Sequence, residues 1–514
     1  MHFGHQDAAL SSELCVCTLN VKWGKEKYKD LECNTDEPPL VFKAQLFALT
    51  GVEPNRQKVM LKGTVLKDSD WTPFKLKDGV TLLMMGTKEA LPEAPAEKTV
   101  FIEDLTDEQL ASALEFPAGL TNLGNTCYMN ATVQCLRSVP ELKDALKKYT
   151  DVRTAGDTSA NIVRAMRDLF IQLDQKSEGF PPFMLLQNLH VAFPQFAERT
   201  EQGVFQQQDA NECWVQLVRM LQQKLPGMSD GEPMEVEGAA SSTKGFMDQY
   251  FRGEFDSVLK CAEAPDEEPT KSIETFYQLS CYIQQEVKYL QTGLKLRLQE
   301  NIVKSSPSLG RDAQYIKESK LSRLPAYLTI QMVRFYYKEK ENINAKILKD
   351  VKFPMILDVW DLCSDSLQKK LVPARDKFKI MEDKKTAEAL KAKQEGKKAV
   401  PKAAKDDKDI KYVPYDLPDD KGSNNSGYYQ LQAVLTHQGR SSSSGHYVGW
   451  VRRRGDEWIK FDDDDVSPVT SEDILRLSGG GDWHCAYVLL YGPQRIEEKY
   501  VTVEEETATV ASDS

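Results

Sequence analysis

An α+β chain of two folded units is predicted by three observations. Short runs of period-two alternation fall before residue 90, a Gly- and Asn-rich turn feeds a helix near residue 127, and alternating apolar runs return near the C-terminus. With 514 residues, 41% of them hydrophobic, the chain can bury a sizeable core, which excludes disorder throughout. The length alone suggests about three domains, but charged and polar stretches absorb part of it. Asp and Glu number 78 against 66 Lys and Arg, a net charge of −12. That is the wrong sign for a binder of phosphate backbones, so no nucleic-acid partner is expected. No apolar run approaches the ~20 residues of a transmembrane segment, and the N-terminus lacks the basic and apolar regions of a secretory signal. Ten cysteines without a Cys-x-x-Cys pair fit reduced thiols in the cytoplasm, with the nucleus also compatible, better than a disulfide scaffold or zinc ribbon.

After a tail over residues 1–13, the first unit spans 14–88. CVCTLNVKW and YKDLEC alternate on either side of GKEK and predict a hairpin; PPLVFKAQLFALTGV has helical spacing and stops at Gly51; KVMLKG and VTLLMMG are strand-like. This β-β-α-β-β order resembles the β-grasp of ubiquitin-like domains, the nearest echoes being Pro54-Asn55-Arg56-Gln57-Lys58-Val59-Met60-Leu61-Lys62-Gly63 and the final strand ending at Met85. That strand runs on through Gly86-Thr87-Lys88, without an exposed Gly-Gly tail, so a conjugation role is excluded. Met60 and Met85 either fill the core or align with the surface patch that ubiquitin-like folds use for docking, where flexible thioethers suit a shallow partner.

Residues 89–104 are rich in Pro, Ala and Glu and read as a linker. Thr106-Asp107-Glu108-Gln109 has the form of a capping box opening a short helix toward Phe116, and Pro117 ends it. The second unit covers 105–494. Two interruptions divide it: a small, polar, acidic stretch over 226–244, read as a disordered surface insertion, and a charged stretch over 376–411, read as a solvated arm without a sustained apolar face. Residues 495–514 read as an acidic tail.

The turn Gly119-Leu120-Thr121-Asn122-Leu123-Gly124-Asn125-Thr126 runs into CYMNATVQCLRSV, with Asn125 or Thr126 as N-cap. Cys127 therefore falls in the first helical turn, where unpaired amides and the helix dipole favour a thiolate, the attacking species in acyl transfer. Its backbone amide and the side-chain amide of Asn122 are placed to meet a developing oxyanion. Cys135 lies two turns further on, where nothing activates it, and Cys15 and Cys17 read as packing on one face of a strand.

GLTNLGNTCYMNATVQCL resembles the cysteine box of ubiquitin-specific proteases, the papain-like cysteine deubiquitinases. Phe205-Gln206-Gln207-Gln208-Asp209-Ala210-Asn211-Glu212 resembles the family's Gln-Gln-Asp box, and the likeness spans roughly residues 116–493. It implies a catalytic domain of fingers, palm and thumb that cleaves the bond after ubiquitin's C-terminal glycine without a cofactor, with Gln208 and Asp209 lining an acidic groove for ubiquitin's basic tail. Many members carry paired cysteines on the fingers and bind zinc; here Cys261 and Cys281 stand alone, so no metal is expected. Joined to a ubiquitin-like unit, the domain resembles the proteasome-associated branch of the family. This implies a monomer that docks on the proteasome regulatory particle through that unit and trims ubiquitin from bound substrates.

A cysteine nucleophile needs a histidine. His2 and His5 lie in the tail and His190 in a mostly apolar segment, leaving His437, His446 and His484, among which spacing alone does not choose. Gly445 and a loop-to-strand junction favour His446. Ser-Gly-His-Tyr-Val-Gly-Trp resembles the histidine box, which makes His446 the general base and leaves His437 as a supporting residue or loop anchor. Trp458-Ile459-Lys460-Phe461-Asp462-Asp463-Asp464-Asp465 is strand-like and then acidic, which fits a charged turn or a carboxylate returned to His446 by a hairpin. The resemblance places the orienting carboxylate at Asp462, with Asp463 as helper. The four aspartates lack EF-hand spacing, and Gly479-Gly480-Gly481 reads as a turn.

Two loops flank these motifs: residues 439–444, with Ser443 and Ser444, and 335–350, with Phe335 and Tyr336. Either they gate the cleft, leaving the isolated enzyme slow, or they are ordinary surface loops. Two rival functions remain: a catalytically weak adaptor that only holds ubiquitin at the proteasome, and a general papain-like peptidase. The intact Cys, His and Asp set argues against the first; digestion of casein would favour the second.

Overall fold

The computed structural model describes residues 16–72, 74–88, 116–150, 156–176, 178–228, 244–338, 343–394, 410–441, 444–481 and 483–501. The chain forms two compact units, 1–104 and 105–514. The tail over 1–13, the linker over 89–104, the capping box at Thr106, Cys15 and Ser443 lie outside the described residues, as do 229–243 and 395–409 of the two insertions.

The first unit is a five-stranded mixed sheet crossed by one helix. Strands β1 (Val16–Trp23) and β2 (Glu26–Asn34) form a hairpin whose turn contains Gly24 at φ 57°, followed by α1 (Pro39–Thr50). Strands β3 (Lys58–Leu61), β4 (Thr64–Val65) and β5 (Thr81–Met85) complete the order β2-β1-β5-β3-β4, with β1 and β5 parallel. Leu19, Val21, Val59, Leu82 and Met84 point to Phe42 and Leu46 of α1 and form the core. Alternation sends their neighbours to the other face. Met60 pairs with Leu83 and Val65, Met85 pairs with Lys58, and Val65, Leu83 and Met85 are exposed while Met60 is half-buried. Neither methionine belongs to the core.

The second unit packs helices on one side of a large sheet and carries a smaller sheet beside it. Helices α2 (Cys127–Arg137), α3 (Pro140–Lys148), α4 (Thr158–Gln175), α5 (Phe183–Ala192) and α6 (Ala210–Lys224) share one core, to which the short α7 (Phe246–Tyr250) adds Phe246, Met247 and Tyr250. Side chains cap two of these helices: Asp157 accepts from the Ala160 amide, and Asp209 from the Asn211 and Glu212 amides.

The smaller sheet contains β6 (Gly253–Cys261), β7 (Thr270–Phe276), β9 (Gln299–Ser306) and β10 (Arg311–Arg323) in the order β7-β6-β10-β9. Cys261 is buried against Ala313 and Tyr315 as a small apolar residue. In sequence, β8 (Leu279–Tyr282) and α8 (Leu290–Arg297) fall between β7 and β9. The large sheet is built from β8, β11 (Leu328–Val333), β15 (Tyr428–Ser441), β16 (Ser444–Arg454), β17 (Glu457–Asp462), β18 (Asp465–Thr470) and β19 (Cys485–Pro493), in the order β18-β17-β16-β15-β19-β11-β8. Strand β14 (Ile356–Asp358) pairs with β15, while β12 (Phe335–Lys338) and β13 (Ile343–Lys346) form a separate hairpin. The short α10 (Ser471–Leu475) opens on a capping box at Thr470 and Asp473.

The charged stretch corrects the reading of a solvated arm. Residues 376–394 of it belong to α9 (Asp365–Gln394), which begins eleven residues before 376 and buries Leu367, Leu371, Ala374, Phe378 and Met381 at helical spacing. Phe378 and Met381 meet Ile496 and Tyr500, Phe378 stands edge-on to Tyr428 at 5.2 Å, and Lys385 pairs with Glu497 at 2.9 Å. The start of the acidic tail is therefore docked, with a helical turn at Glu498–Tyr500. A window opening at residue 376 sees only the charged C-terminal half of the helix and misses the period. Phe378→Ala should destabilise this corner by about 3 kcal/mol, read as faster hydrogen exchange in both α9 and residues 496–501.

Candidate active site

The turn before α2 is held in an unusual backbone conformation. Gly124 and Asn125 both adopt positive φ, 104° and 53°. The Asn125 side chain fixes the turn by donating to the Phe205 carbonyl at 2.8 Å, and Thr126 Oγ1 accepts from the Leu123 amide at 2.9 Å. Cys127 then opens the helix, 2% exposed. Its sulfur lies 3.3 Å from Nε2 of Gln207, a residue that sequence reading passed over in favour of Gln208 and Asp209. Nothing in the run of three glutamines shows which one turns inward; that follows from how the segment enters α6.

Helix α2 lies against β16, and Gly449 allows the approach: a Cβ there would sit 3.3 Å from the Ala131 carbonyl oxygen. His446 is on this strand, half-buried. The β16–β17 ladder, with Gly449 opposite Phe461, brings back Asp462, whose Oδ1 is 2.5 Å from His446 Nε2. The other ring nitrogen is left for Cys127, whose side chain helps raise the imidazole. The Asp462 hydrogen bond, followed by that of Cys127, raises the imidazole to about 10 against the opposing effect of burial. Asp462 is held well below the carboxylate range by His446 and by Lys460, whose ammonium lies 2.6 Å from Oδ2. Lys460 was legible in principle, because alternation puts residues 460 and 462 on one face of the strand.

Asn122 is engaged at both ends of its amide. Oδ1 accepts from the Gly124 amide at 2.9 Å and the Thr126 amide at 3.2 Å, and Nδ2 donates to Asp463 at 2.9 Å. One of its two N–H donors remains for another acceptor. Asp463, at φ 56°, also accepts from Asn130 at 2.8 Å, and its main-chain oxygen accepts from the Leu120 amide at 2.8 Å. Gly119 is required here, since a Cβ would fall 2.7 Å from both the Asp463 oxygen and the Asp464 Cα.

The other residues singled out from the sequence lie around this centre. Asp209 is committed to its helix and to Tyr487, whose hydroxyl donates at 2.7 Å; burial raises its carboxyl. Gln208 is half-buried, Tyr336 and Ser444 are exposed, and Phe335 packs edge-on against His437 and Tyr487, both at 5.2 Å. His437 and His484 are buried and neutral, pushed down to about 3 and about 4 chiefly by burial. The His190 ring lies tilted against Phe205 at 4.6 Å.

Among the described residues, His446, Asp462 and Asp463 form the one group with three metal-capable atoms, all within 4.8 Å. The His446–Asp462 bond suits proton handling, while Asp463 is taken up by Asn122 and Asn130: a buried thiol, an imidazole and a carboxylate in sequence can generate a thiolate and return its proton.

Residues 118–491 match the family described as ubiquitin carboxyl-terminal hydrolase. The chain is 44% identical over 495 residues to ubiquitin carboxyl-terminal hydrolase 6 of Arabidopsis thaliana, across 92% of this chain and 98% of that protein. It is 42% identical over 487 residues to ubiquitin carboxyl-terminal hydrolase 14 of Caenorhabditis elegans, across 93% and 94%. With ubiquitin carboxyl-terminal hydrolase 6 of Schizosaccharomyces pombe it shares 39% identity over 494 residues, across 92% and 98%.

Asp462→Asn removes the largest support of the imidazolium, so the His446 titration should fall from about 10 toward the ordinary histidine range. A rate that needs the imidazolium as acid would then lose its alkaline limb at lower pH. NMR titration of His446 and a pH profile of kcat/KM check this together.

Proposed function

From the premise that the chain belongs to the ubiquitin carboxyl-terminal hydrolase family and is a deubiquitinating cysteine protease, we propose that Cys127, His446 and Asp462 carry its chemistry. The observation that supports this most is the 2.5 Å bond between His446 and Asp462, with the Cys127 thiol also acting to raise the imidazole. Sγ of Cys127 attacks the carbonyl of ubiquitin's C-terminal glycine, in a peptide or isopeptide bond. His446 holds the thiol proton as imidazolium and passes it to the leaving amine. Asp462, fixed by Lys460, keeps Nε2 protonated and the ring in place. The tetrahedral oxyanion is met by the Cys127 amide and the remaining N–H of Asn122, and Gln207 orients the sulfur. Water activated by His446 then hydrolyses the thioester.

Gln208 and Asp209 stand beside the groove for ubiquitin's tail, Asp209 by shaping the start of α6. Phe335, Tyr336, Ser443 and Ser444 belong to two loops that control entry to it. The chain acts as a monomer in the cytoplasm, with access to the nucleus. The first unit is a ubiquitin-like β-grasp domain, a reading supported by its strand order with one crossing helix. Its outer face presents Met60, Val65, Leu83 and Met85 beside Lys58, an apolar patch suited to docking on the proteasome regulatory particle. Such docking places the enzyme where ubiquitin is trimmed from bound substrates.

Cys127→Ala should abolish both release of a fluorophore from ubiquitin's C-terminus and labelling by a ubiquitin-based electrophile; retained labelling would sink the assignment. Changing Met60 and Met85 together to Asp should weaken binding of the full chain to purified proteasome at least tenfold, about 1.4 kcal/mol, while hydrolysis by the free chain persists. Unchanged binding would place the docking surface elsewhere.

A further inference from the structure

We propose that His437 is a positioning residue that anchors the bases of two loops beside the active site: the β12–β13 hairpin, and the β15–β16 connection through residues 439, 444 and 445 at its ends. The proposal rests on the reading above that these loops border the groove for ubiquitin's tail.

His437 is on β15 and fully buried, yet it takes no part in the thiol–imidazole–carboxylate sequence. Its Nε2 lies 3.1 Å from the Ser444 carbonyl oxygen. A carbonyl only accepts, so Nε2 carries the hydrogen and Nδ1 presents a bare lone pair. That lone pair is buried and finds no partner among the described residues. Burying an unsatisfied ring nitrogen is costly. An aliphatic side chain would avoid the cost, so the gain from the imidazole is the bond to Ser444.

The same residue holds the hairpin at its base. Phe335 and Lys346 are cross-strand partners there. The Phe335 ring meets the imidazole edge-on at 5.2 Å, and the buried Lys346 ammonium donates to the His437 carbonyl oxygen. On the other side the imidazole packs at 4.7 Å against Tyr447, the neighbour of His446.

The adjoining ends of β15 and β16 are moulded to the ring. Gly445 has φ 120°, and a Cβ on it would fall 2.7 Å from His437 Nε2; Gly439 has φ 128°, and its Cβ would lie 3.2 Å from Cε1. One side chain therefore touches both loops, and one main-chain oxygen fastens the hairpin. If the anchor is lost, the loops must be ordered when ubiquitin binds, and that ordering weakens binding. The thiol, its histidine and its carboxylate are untouched.

The test uses the full chain, with ubiquitin carrying a C-terminal fluorophore as substrate and iodoacetamide as a small probe of Cys127. His437→Leu should raise KM at least fivefold. The Cys127 alkylation rate and its pH profile should stay within twofold of the parent. His437→Gln, whose amide N–H reaches toward Ser444, should restore KM to within twofold. Lys346→Met, which leaves the imidazole in place, should raise KM at least twofold, and provides the reading if His437→Leu does not fold. Parental KM in both His437→Leu and Lys346→Met, absence of rescue by Gln, or alkylation that falls in step with hydrolysis would each overturn the proposal. The parent and Cys127→Ala are assayed alongside. A failed catalytic assignment shows in those two, and a failed role for His437 shows only in its own variants.

Discussion

The carboxylate of Asp463 joins the two halves of the active site. It sits in a left-handed conformation between β17 and β18, one residue beyond the partner of His446. One oxygen takes Asn122 from the turn before the cysteine, the other takes Asn130 from α2, and its main chain takes Leu120. Helix and sheet are thereby fixed in a single register, and the distance between sulfur and imidazole depends on it. The contact is close enough to require glycine at 119, where a Cβ would strike the turn at 2.7 Å. The side chain that completes this joint is flanked by acids, yet its work is hydrogen bonding, with burial raising its carboxyl.

Three histidines on or beside this sheet show how neighbours decide charge. His437 and His484 are buried without a hydrogen-bonded carboxylate and are pushed down to about 3 and about 4. His446 also pays for burial, but Asp462 and Cys127 outweigh it and raise the ring to about 10. Ring type is shared; the difference is a hydrogen-bonded carboxylate at 2.5 Å, with Cys127 beside it. Lys460 supports that acceptor from the side, which keeps Asp462 ionised and the imidazole oriented.

Much of the architecture could be read locally. Alternation located β1, β2 and β5, helical spacing located α1 with its glycine cap, and the Gly–Asn turn located the start of α2 at Cys127. Local patterns failed where the partner lies far along the chain. The charged stretch after residue 376 hides the second half of a helix whose apolar face is completed by Leu367 and Leu371 before it and by Ile496 and Tyr500 more than a hundred residues after it. Gln207, rather than either of its neighbours in the motif, touches the sulfur, a choice made by how the segment before α6 packs against the cysteine turn.

The amino-acid sequence by itself determined the α+β character, a cysteine at a helix start, and a set of three C-terminal histidines with an acidic run behind them. Each is a matter of local propensity, capping and periodicity. Only the tertiary structure shows which aspartate bonds His446 and which instead ties the loop to the sheet. Those choices turn on the pairing of β16 with β17 and the packing of α2 on β16. Adjacent aspartates in a chain have the same chemistry, and the backbone twist between residues 462 and 463 sends one carboxylate to His446 and the other to Asn122 and Asn130.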